Sequence, residues 1–358
     1  MNRKGDQMSD LSVLLKSPAE WLSSEGEESE IVLSFRVRLA RNLDNRPFSH
    51  IAEPEVLAGI SREIKEAVLD TKRMSEALIF DMDKISESER MLLSERSLIS
   101  DEMVRNYSNR SLVVMKGEKL NVMINEEDHL RIQSFESGLS VGKAFERICA
   151  LDDELDERLD FAFSNRLGYL TACTTNVGTG LRVSAMVHLP GLVHNNDIRR
   201  VIDGLRHVRL TVRGSYGEGS EVLGNFFQIS NSITLGLSEA DTVANIESHI
   251  RKVIEFEKKA RDSLLREART LLEDKIWRSY GILKSARLVT SKEAMSLISA
   301  IRLGIGLGII NDIRLSDLNE ILIMIQPMHL QRLYKKSMSP EERDRIRADH
   351  FRALLNKN

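Results

Sequence analysis

The sequence predicts an α+β protein, a mainly antiparallel sheet flanked by helices and followed by a helical module. Three observations predict it. Residues 54–105 place apolar side chains at helical spacing, as at Val56, Ile60, Ile64 and Val68. Residues 111–237 change to short strand-like apolar runs, with glycines at 178, 180, 214, 217, 219 and 224 between them. From Ser238 to Leu355 helical patterning returns and persists.

In chain order, the acidic stretch 22–30 reads as a mobile leader before Ile31. Ile31 to Asn42 is an extended segment in which Arg36 and Arg38 share one face. Residues 111–115 and 121–125 flank Lys116-Gly-Glu-Lys119 and predict a β-hairpin. Further strands are expected at 181–189, 209–213, 225–230 and 232–237. Ser238-Glu-Ala-Asp241 has the form of a helix-starting capping box, after which Val243, Ile246, Ile250 and Val253 mark one helical face.

Bulk properties exclude several classes. A length of 358 residues suits about two domains, and a hydrophobic fraction of 42% with 29% charged residues is ordinary for a globular protein. The net charge of -3 argues against direct nucleic-acid binding, since a nucleic-acid coat would be basic. Two cysteines, Cys149 and Cys173, do not make a disulfide framework. The apolar stretch from Leu297 to Ile310 is broken by Arg302 and is too short to span a bilayer. With no signal-peptide pattern at the start, a cytoplasmic protein without membrane contact is expected.

Four constellations carry chemistry. Arg36 and Arg38 offer two planar forks that could hold a polyphosphate, although standing alone they read more readily as a solvated strand face. Glu126, Glu127 and Asp128, with Arg131 behind them, suit a cationic substrate, a metal or an ordinary charged turn. Asn176-Val-Gly-Thr-Gly-Leu-Arg182 is a glycine-bearing loop that fits neither a Walker A loop nor a dinucleotide fingerprint. Arg213-Gly-Ser-Tyr-Gly-Glu-Gly-Ser-Glu221 could close over a substrate or simply connect two strands. The histidines show no metal-ligand spacing, so no protein-held metal is expected.

These segments occur together as Ser34-Phe-Arg-Val-Arg-Leu-Ala-Arg41, Asn125-Glu-Glu-Asp-His-Leu-Arg-Ile132, Cys173-Thr-Thr-Asn-Val-Gly-Thr-Gly180 and Arg213-Gly-Ser-Tyr-Gly-Glu218. In that order they resemble the phosphagen (ATP:guanidino phosphotransferase) kinases, and most closely the protein-arginine kinases of the McsB type. The resemblance implies a leader over 1–30, a phosphagen-kinase-like catalytic domain over 31–261 and a helical C-terminal domain over 262–358. It implies ATP, with Mg2+ carried on the nucleotide, held by Arg36, Arg38, Arg131, Arg182 and Arg213. Ser34, Phe35, Val37, Val183, Ser184, Ala185, Met186, Gly214, Ser215, Tyr216, Gly217 and Glu218 would complete that pocket. Glu127 is the leading candidate base, with Glu126 nearby, Glu221 as a second carboxylate for the guanidinium, and Cys173 at the acceptor site. In the C-terminal part Arg343-Asp344-Arg345-Ile346-Arg347-Ala348 resembles an allosteric phosphoarginine-binding motif, in which Arg343, Asp344, Arg347 and Ala348 would take the ligand.

The activity so implied is phosphorylation of arginine side chains in proteins, marking them for Clp-type proteolysis. The implied partners are protein substrates with exposed arginines, a Clp ATPase, an activator protein and a second copy in a homodimer. Two alternatives stay open: a kinase for free arginine or another small guanidine, and a catalytically silent phosphoarginine-binding adaptor. Tyr216 stands where the small-molecule enzymes carry another phosphate-binding arginine, and the resemblance implies no counterpart of their helical N-terminal domain. Phe35, Ser97 and Thr174 also depart from the family pattern. Phe35 is expected to narrow the nucleotide pocket.

Overall fold

The structure is a computed structural model that describes residues 11–15, 18–216 and 222–356. Its strands are β1 (Val32–Arg41), β2 (Leu78–Asp81), β3 (Ser111–Val114), β4 (Leu120–Ile124), β5 (Leu130–Ser137), β6 (Phe163–Ser164), β7 (Gly168–Tyr169), β8 (Leu181–His188), β9 (Leu210–Tyr216) and β10 (Val222–Asn231). The helices of the sheet region are α1 (Leu11–Leu15), α2 (Pro54–Asp70), α3 (Glu87–Glu95), α4 (Asp101–Arg105), α5 (Val141–Asp156), α6 (Pro190–His194) and α7 (Ile198–His207). The long α8 (Glu239–Glu267) leads into α9 (Arg269–Ser285), α10 (Ser291–Gly306), α11 (Leu315–Met324), α12 (Pro327–Leu333) and α13 (Pro340–Leu355).

Eight strands form one sheet in the order β2-β3-β4-β5-β1-β8-β10-β9, and every neighbouring pair is antiparallel. Its back face is apolar because alternate residues of each strand are: Phe35, Val37 and Leu39 of β1, Ile132 of β5, and Val183 and Ala185 of β8. Those side chains pack against Ile60 and Ile64 of α2, Ile148 and Leu151 of α5, and Ile246 and Ile250 of α8. The C-terminal helices cover part of the other face, where Phe135 and Phe226 pack among Ile276, Ile298, Ile301 and Phe351. Leu92 and Leu93 of α3 and Met103 of α4 cover the β2–β3–β4 end.

The hairpin expected around residues 116–119 is β3–β4. Ser238 begins α8 as its pattern predicts, its hydroxyl accepting the Asp241 N–H at 3.0 Å and donating to the Asp241 carboxylate at 2.6 Å. The structure departs from several expectations. The helical stretch 54–105 is interrupted by β2, because Leu78-Ile-Phe is apolar throughout and pairs with β3 at the sheet edge. The runs 225–230 and 232–237 are one strand, β10, and a following bend; Asn231 ends the strand by turning its amide to the Leu181 and Ile233 carbonyls. Part of the leader is packed: Trp21 stacks on Phe135 at 5.5 Å, and the Leu22 carbonyl accepts from the buried Asn319 amide at 3.2 Å. The boundary expected at 261/262 falls inside α8, which ends near Ala268. Among the described residues no helix is long and apolar enough to cross a membrane.

Candidate active site

Strand register brings the arginines together. In an antiparallel sheet, residues directly opposite one another point to the same face. Arg38 lies opposite Arg182 of β8 and Gln133 of β5, while Arg36 lies opposite Ser184 and Phe135. Arg131 of β5 is opposite Ala40, the next front-face position of β1. Arg213 of β9 is opposite Gln228, which is opposite Met186, which is opposite Ser34. Alternation therefore places Arg36, Arg38, Arg131, Arg182 and Arg213 on one face, together with Ser34, Ser184 and Met186.

Four of these arginines have no carboxylate within ion-pair distance among the described residues. Arg182 donates to Ser230 Oγ at 3.2 Å, and its buried Nε has no partner among the described residues. Burial, with Arg131 and Arg182 close by, pulls the Arg36 guanidinium down to about 10. The same causes, with Arg36 added, hold Arg38 well below its usual value. Burial and then Arg213 and Arg131 lower Arg182. A cluster of partly desolvated like charges is unfavourable until an anion enters, so this face is built to receive one. Ser34 is buried beside it, and the Ser184 hydroxyl turns to the Arg36 carbonyl at 3.4 Å.

The other proposed pocket residues divide by face. Phe35, Val37, Val183 and Ala185 are fully buried in the back core and contribute no side chain to the arginine face. The expectation that Phe35 narrows the nucleotide pocket is thereby corrected: its ring points away. Gly214 and the backbones of Ser215 and Tyr216 end β9. Gly217, Glu218 and Glu221 lie outside the described residues.

The carboxylates sit on the tight loop between β4 and β5. Asn125 opens it with a φ of +57°, a conformation asparagine tolerates, and its N–H donates to the His129 carbonyl at 2.9 Å. The loop is pinned from β1: the Asn42 amide donates to Asp128 at 2.7 Å and its carbonyl accepts the His129 N–H at 2.8 Å. Buried Asp128 also accepts the Ala172 N–H at 2.6 Å, which ties this loop to the next one. Burial raises the Asp128 pKa.

Glu126 and Glu127 differ in access. Glu126 is buried, accepting from Ser100 Oγ at 2.6 Å, Arg131 Nη1 at 2.6 Å and the Glu127 N–H at 2.9 Å. The Glu127 side chain is 39% exposed and meets Arg131 Nη2 at 2.8 Å and the Asn176 amide at 3.4 Å. Glu127 is thus the carboxylate free to meet an incoming group, and Glu126 is bound up in holding it. Arg131, expected to hold phosphate, has its guanidinium shared here between the two glutamates.

Cys173 is half-buried in the turn that carries Asn176, with Sγ 3.0 Å from Thr175 Oγ1. The Asn176 N–H closes this turn on the Cys173 carbonyl at 2.9 Å, so the turn and Glu127 are held to one another. Gly178 has a φ of +114°, and a Cβ there would come within 2.4 Å of the Thr234 carbonyl. Sequence reasoning missed Asn42, Ser100 and Asn176 as site-building residues. Asn42 and Asn176 were visible at the ends of their motifs, whereas Ser100 carries no local signal.

The segment on α13 expected to take phosphoarginine is not an open clamp here. Arg347 is buried and donates to the Val289 carbonyl at 2.7 Å, the Ile325 carbonyl at 3.2 Å and Asp344 at 2.6 Å. Arg343 donates to the Met338 carbonyl at 2.8 Å, and Ala348 is packed in the helical core. Four-residue spacing did align the two arginines, but packing against α11 and the loop before α10 took up one of them.

Residues 59–260 match the family described as ATP:guanido phosphotransferase, C-terminal catalytic domain. Residues 269–358 match the protein-arginine kinase McsB C-terminal domain. A protein-arginine kinase of Halothermothrix orenii is 42% identical over 98% of this chain and the whole of its own. One from Geobacillus stearothermophilus is 44% identical over 94% and 93% of the two chains. In fold, lombricine kinase overlays with a TM-score of 0.57 at 24% identity, covering 70% of this chain and 71% of its own. A duplicated taurocyamine kinase from Schistosoma mansoni with bound transition-state-analogue components gives 0.59 at 24% identity, over 78% and 41%. With both halves of the chain matched and the arginine face and acidic loop in the order the motifs require, the chain belongs to the ATP:guanido phosphotransferase family, in its protein-arginine kinase branch.

Proposed function

We propose that this chain transfers the γ-phosphoryl group of ATP to arginine side chains of proteins. The observation that carries the reading is Arg131, which stands in the row of arginines and holds both Glu126 and Glu127. One residue joins an anion-binding face to a pair of carboxylates, so a polyphosphate and a guanidinium can meet there.

In this reading Arg36, Arg38, Arg182 and Arg213 hold the phosphates, and magnesium enters as part of the nucleotide substrate. The acceptor guanidinium lies against Glu127, and Asn176 keeps that carboxylate in place. A bond forms between a guanidino nitrogen and the γ-phosphorus as the bond to the β,γ-bridging oxygen breaks. ADP leaves with that electron pair, and the proton shed by the nitrogen passes to Glu127. The arginines offset charge on the moving phosphoryl group, and alignment of two bound substrates supplies much of the remaining acceleration. Glu221 and Cys173 stay in the reading as acceptor-side residues.

Arginine within a protein is favoured over free arginine by the C-terminal match and by the names of the relatives. The regulatory part of the reading needs a rearrangement: Arg347 must leave the Val289 and Ile325 carbonyls before it can grip phosphoarginine with Arg343 and Asp344. The homodimer is supported by Leu271, Trp277 and Ile282, which are exposed along α9. A cytoplasmic location, an activator protein and a Clp ATPase partner rest on the motif resemblance. The test is incubation with ATP and either casein or free arginine, followed by detection of acid-labile phosphate. Label on casein is expected; label on free arginine alone supports the small-guanidine enzyme, and label on neither, with nucleotide bound, overturns both.

A further inference from the structure

The helical module reaches the acidic loop through a short stretch, residues 95–100, from the last residue of α3 to the cap of α4. At its first residue the Glu95 carboxylate accepts the N–H groups of Met328 at 2.8 Å and His329 at 3.1 Å, and meets His329 Nδ1 at 2.7 Å. Those are orphan donors in the first turn of α12, which an anionic acceptor satisfies well. Just before α12, the Ile325 carbonyl is held by Arg347 of α13. Glu95 therefore fastens α12 to α3 of the sheet domain.

The rest of the stretch is pinned at each step. Arg96 is buried and pairs with buried Glu118 through Nε at 2.6 Å. Ser97 adopts a φ of +60°, which a residue with a side chain keeps only when its surroundings impose it. The Leu98 carbonyl accepts from Gln133 Nε2 at 3.2 Å, and Gln133 lies opposite Arg38 in the sheet. Ser100 caps α4 by accepting the Met103 N–H at 3.2 Å and donates to Glu126 at 2.6 Å. Glu126 in turn accepts the Glu127 N–H.

We infer that residues 95–100 form a positioning bridge by which the seating of α12 on Glu95 sets the reacting carboxylate. Ser100 orients Glu126, Glu126 fixes the Glu127 backbone, and at the far end Glu95 ties the bridge to α12. The inference rests on the assignment of Glu127 given above. Glu95 and Ser100 are positioning residues, since each acts through another side chain.

The experiment uses the full chain carrying Ser100→Ala, Ser100→Thr, Glu95→Gln, or Ser100→Ala with Glu95→Gln. Its readouts are kcat, KM for ATP with casein as acceptor, and melting temperature. Ser100→Ala and Glu95→Gln are each expected to lower kcat roughly tenfold, with KM for ATP changed by less than about twofold. Ser100→Thr keeps the hydroxyl and restores the rate, and the double variant is no slower than the worse single one. Losses that multiply in the double variant overturn the bridge, as does an unchanged kcat beside a lowered melting temperature. If Glu127→Gln is inert while Ser100→Ala runs at the parent rate, the bridge alone fails. If Glu127→Gln is fully active, the functional reading fails and takes the bridge with it.

Discussion

The two faces of β1 treat charge in opposite ways. On the back face Arg41 is buried and fully engaged, with Asp152 at 2.6 Å, Glu239 at 3.3 Å, the Thr179 carbonyl at 2.8 Å and the Tyr169 ring 3.5 Å from its guanidinium carbon. Burial alone would lower its pKa, but Asp152, Tyr169 and Glu239 together more than offset that, and the pKa is raised. On the front face Arg38, three residues earlier on the same strand, has its pKa lowered by burial and then by its neighbours Arg36, Arg131 and Arg182. One residue type on one strand thus serves two purposes. The difference teaches that the functional signal is charge left without compensation, and the structural signal is charge brought to balance.

The comparison can be broken most sharply at the loop that serves the front face. Glu127→Gln keeps the shape and removes the proton acceptor, so kcat is expected to fall by roughly 10²–10⁴-fold with ATP affinity nearly unchanged. Single-turnover transfer and equilibrium nucleotide binding separate the two, and an equal loss of ATP affinity would assign Glu127 to the nucleotide instead. On the back face Phe35→Ala is expected to cost about 3–5 kcal/mol of stability by leaving a cavity, without altering ATP affinity of the folded protein. Denaturant titration checks this, and unchanged stability with altered nucleotide binding would return Phe35 to the pocket. The smallest effects concern α13, where the same contrast recurs within one motif. Arg347→Ala should cost about 1–3 kcal/mol because it strands buried carbonyls, whereas Arg343→Ala should fall within about 0.5 kcal/mol. Equal losses would mean that both arginines are structural.

Much of this was legible in the sequence. Two-residue spacing put Arg36 and Arg38 on one face, and the alternation that did so also assigns Phe35 and Val37 to the other. The family resemblance obscured that point by carrying whole segments into the pocket. What stayed hidden was long-range. The grouping of Arg131, Arg182 and Arg213 with the pair depends on the register among β5, β1, β8, β10 and β9, which no local pattern encodes. Ser100 was invisible because its partner, Glu126, lies on another element. The burial of Arg347 stayed hidden because four-residue helical spacing aligns side chains without saying whether the neighbouring helices bury them.

The most direct test of the central claim sets Arg38→Ala beside Arg41→Ala, measuring ATP binding by calorimetry and unfolding by denaturant on the same samples. Removing Arg41 leaves Asp152 buried without its cation and is expected to cost about 3–5 kcal/mol. Removing Arg38 relieves repulsion, so ATP affinity should be lost while stability is unchanged or slightly higher. An Arg38→Ala protein that is destabilised like Arg41→Ala, yet binds ATP as the parent does, would contradict the account.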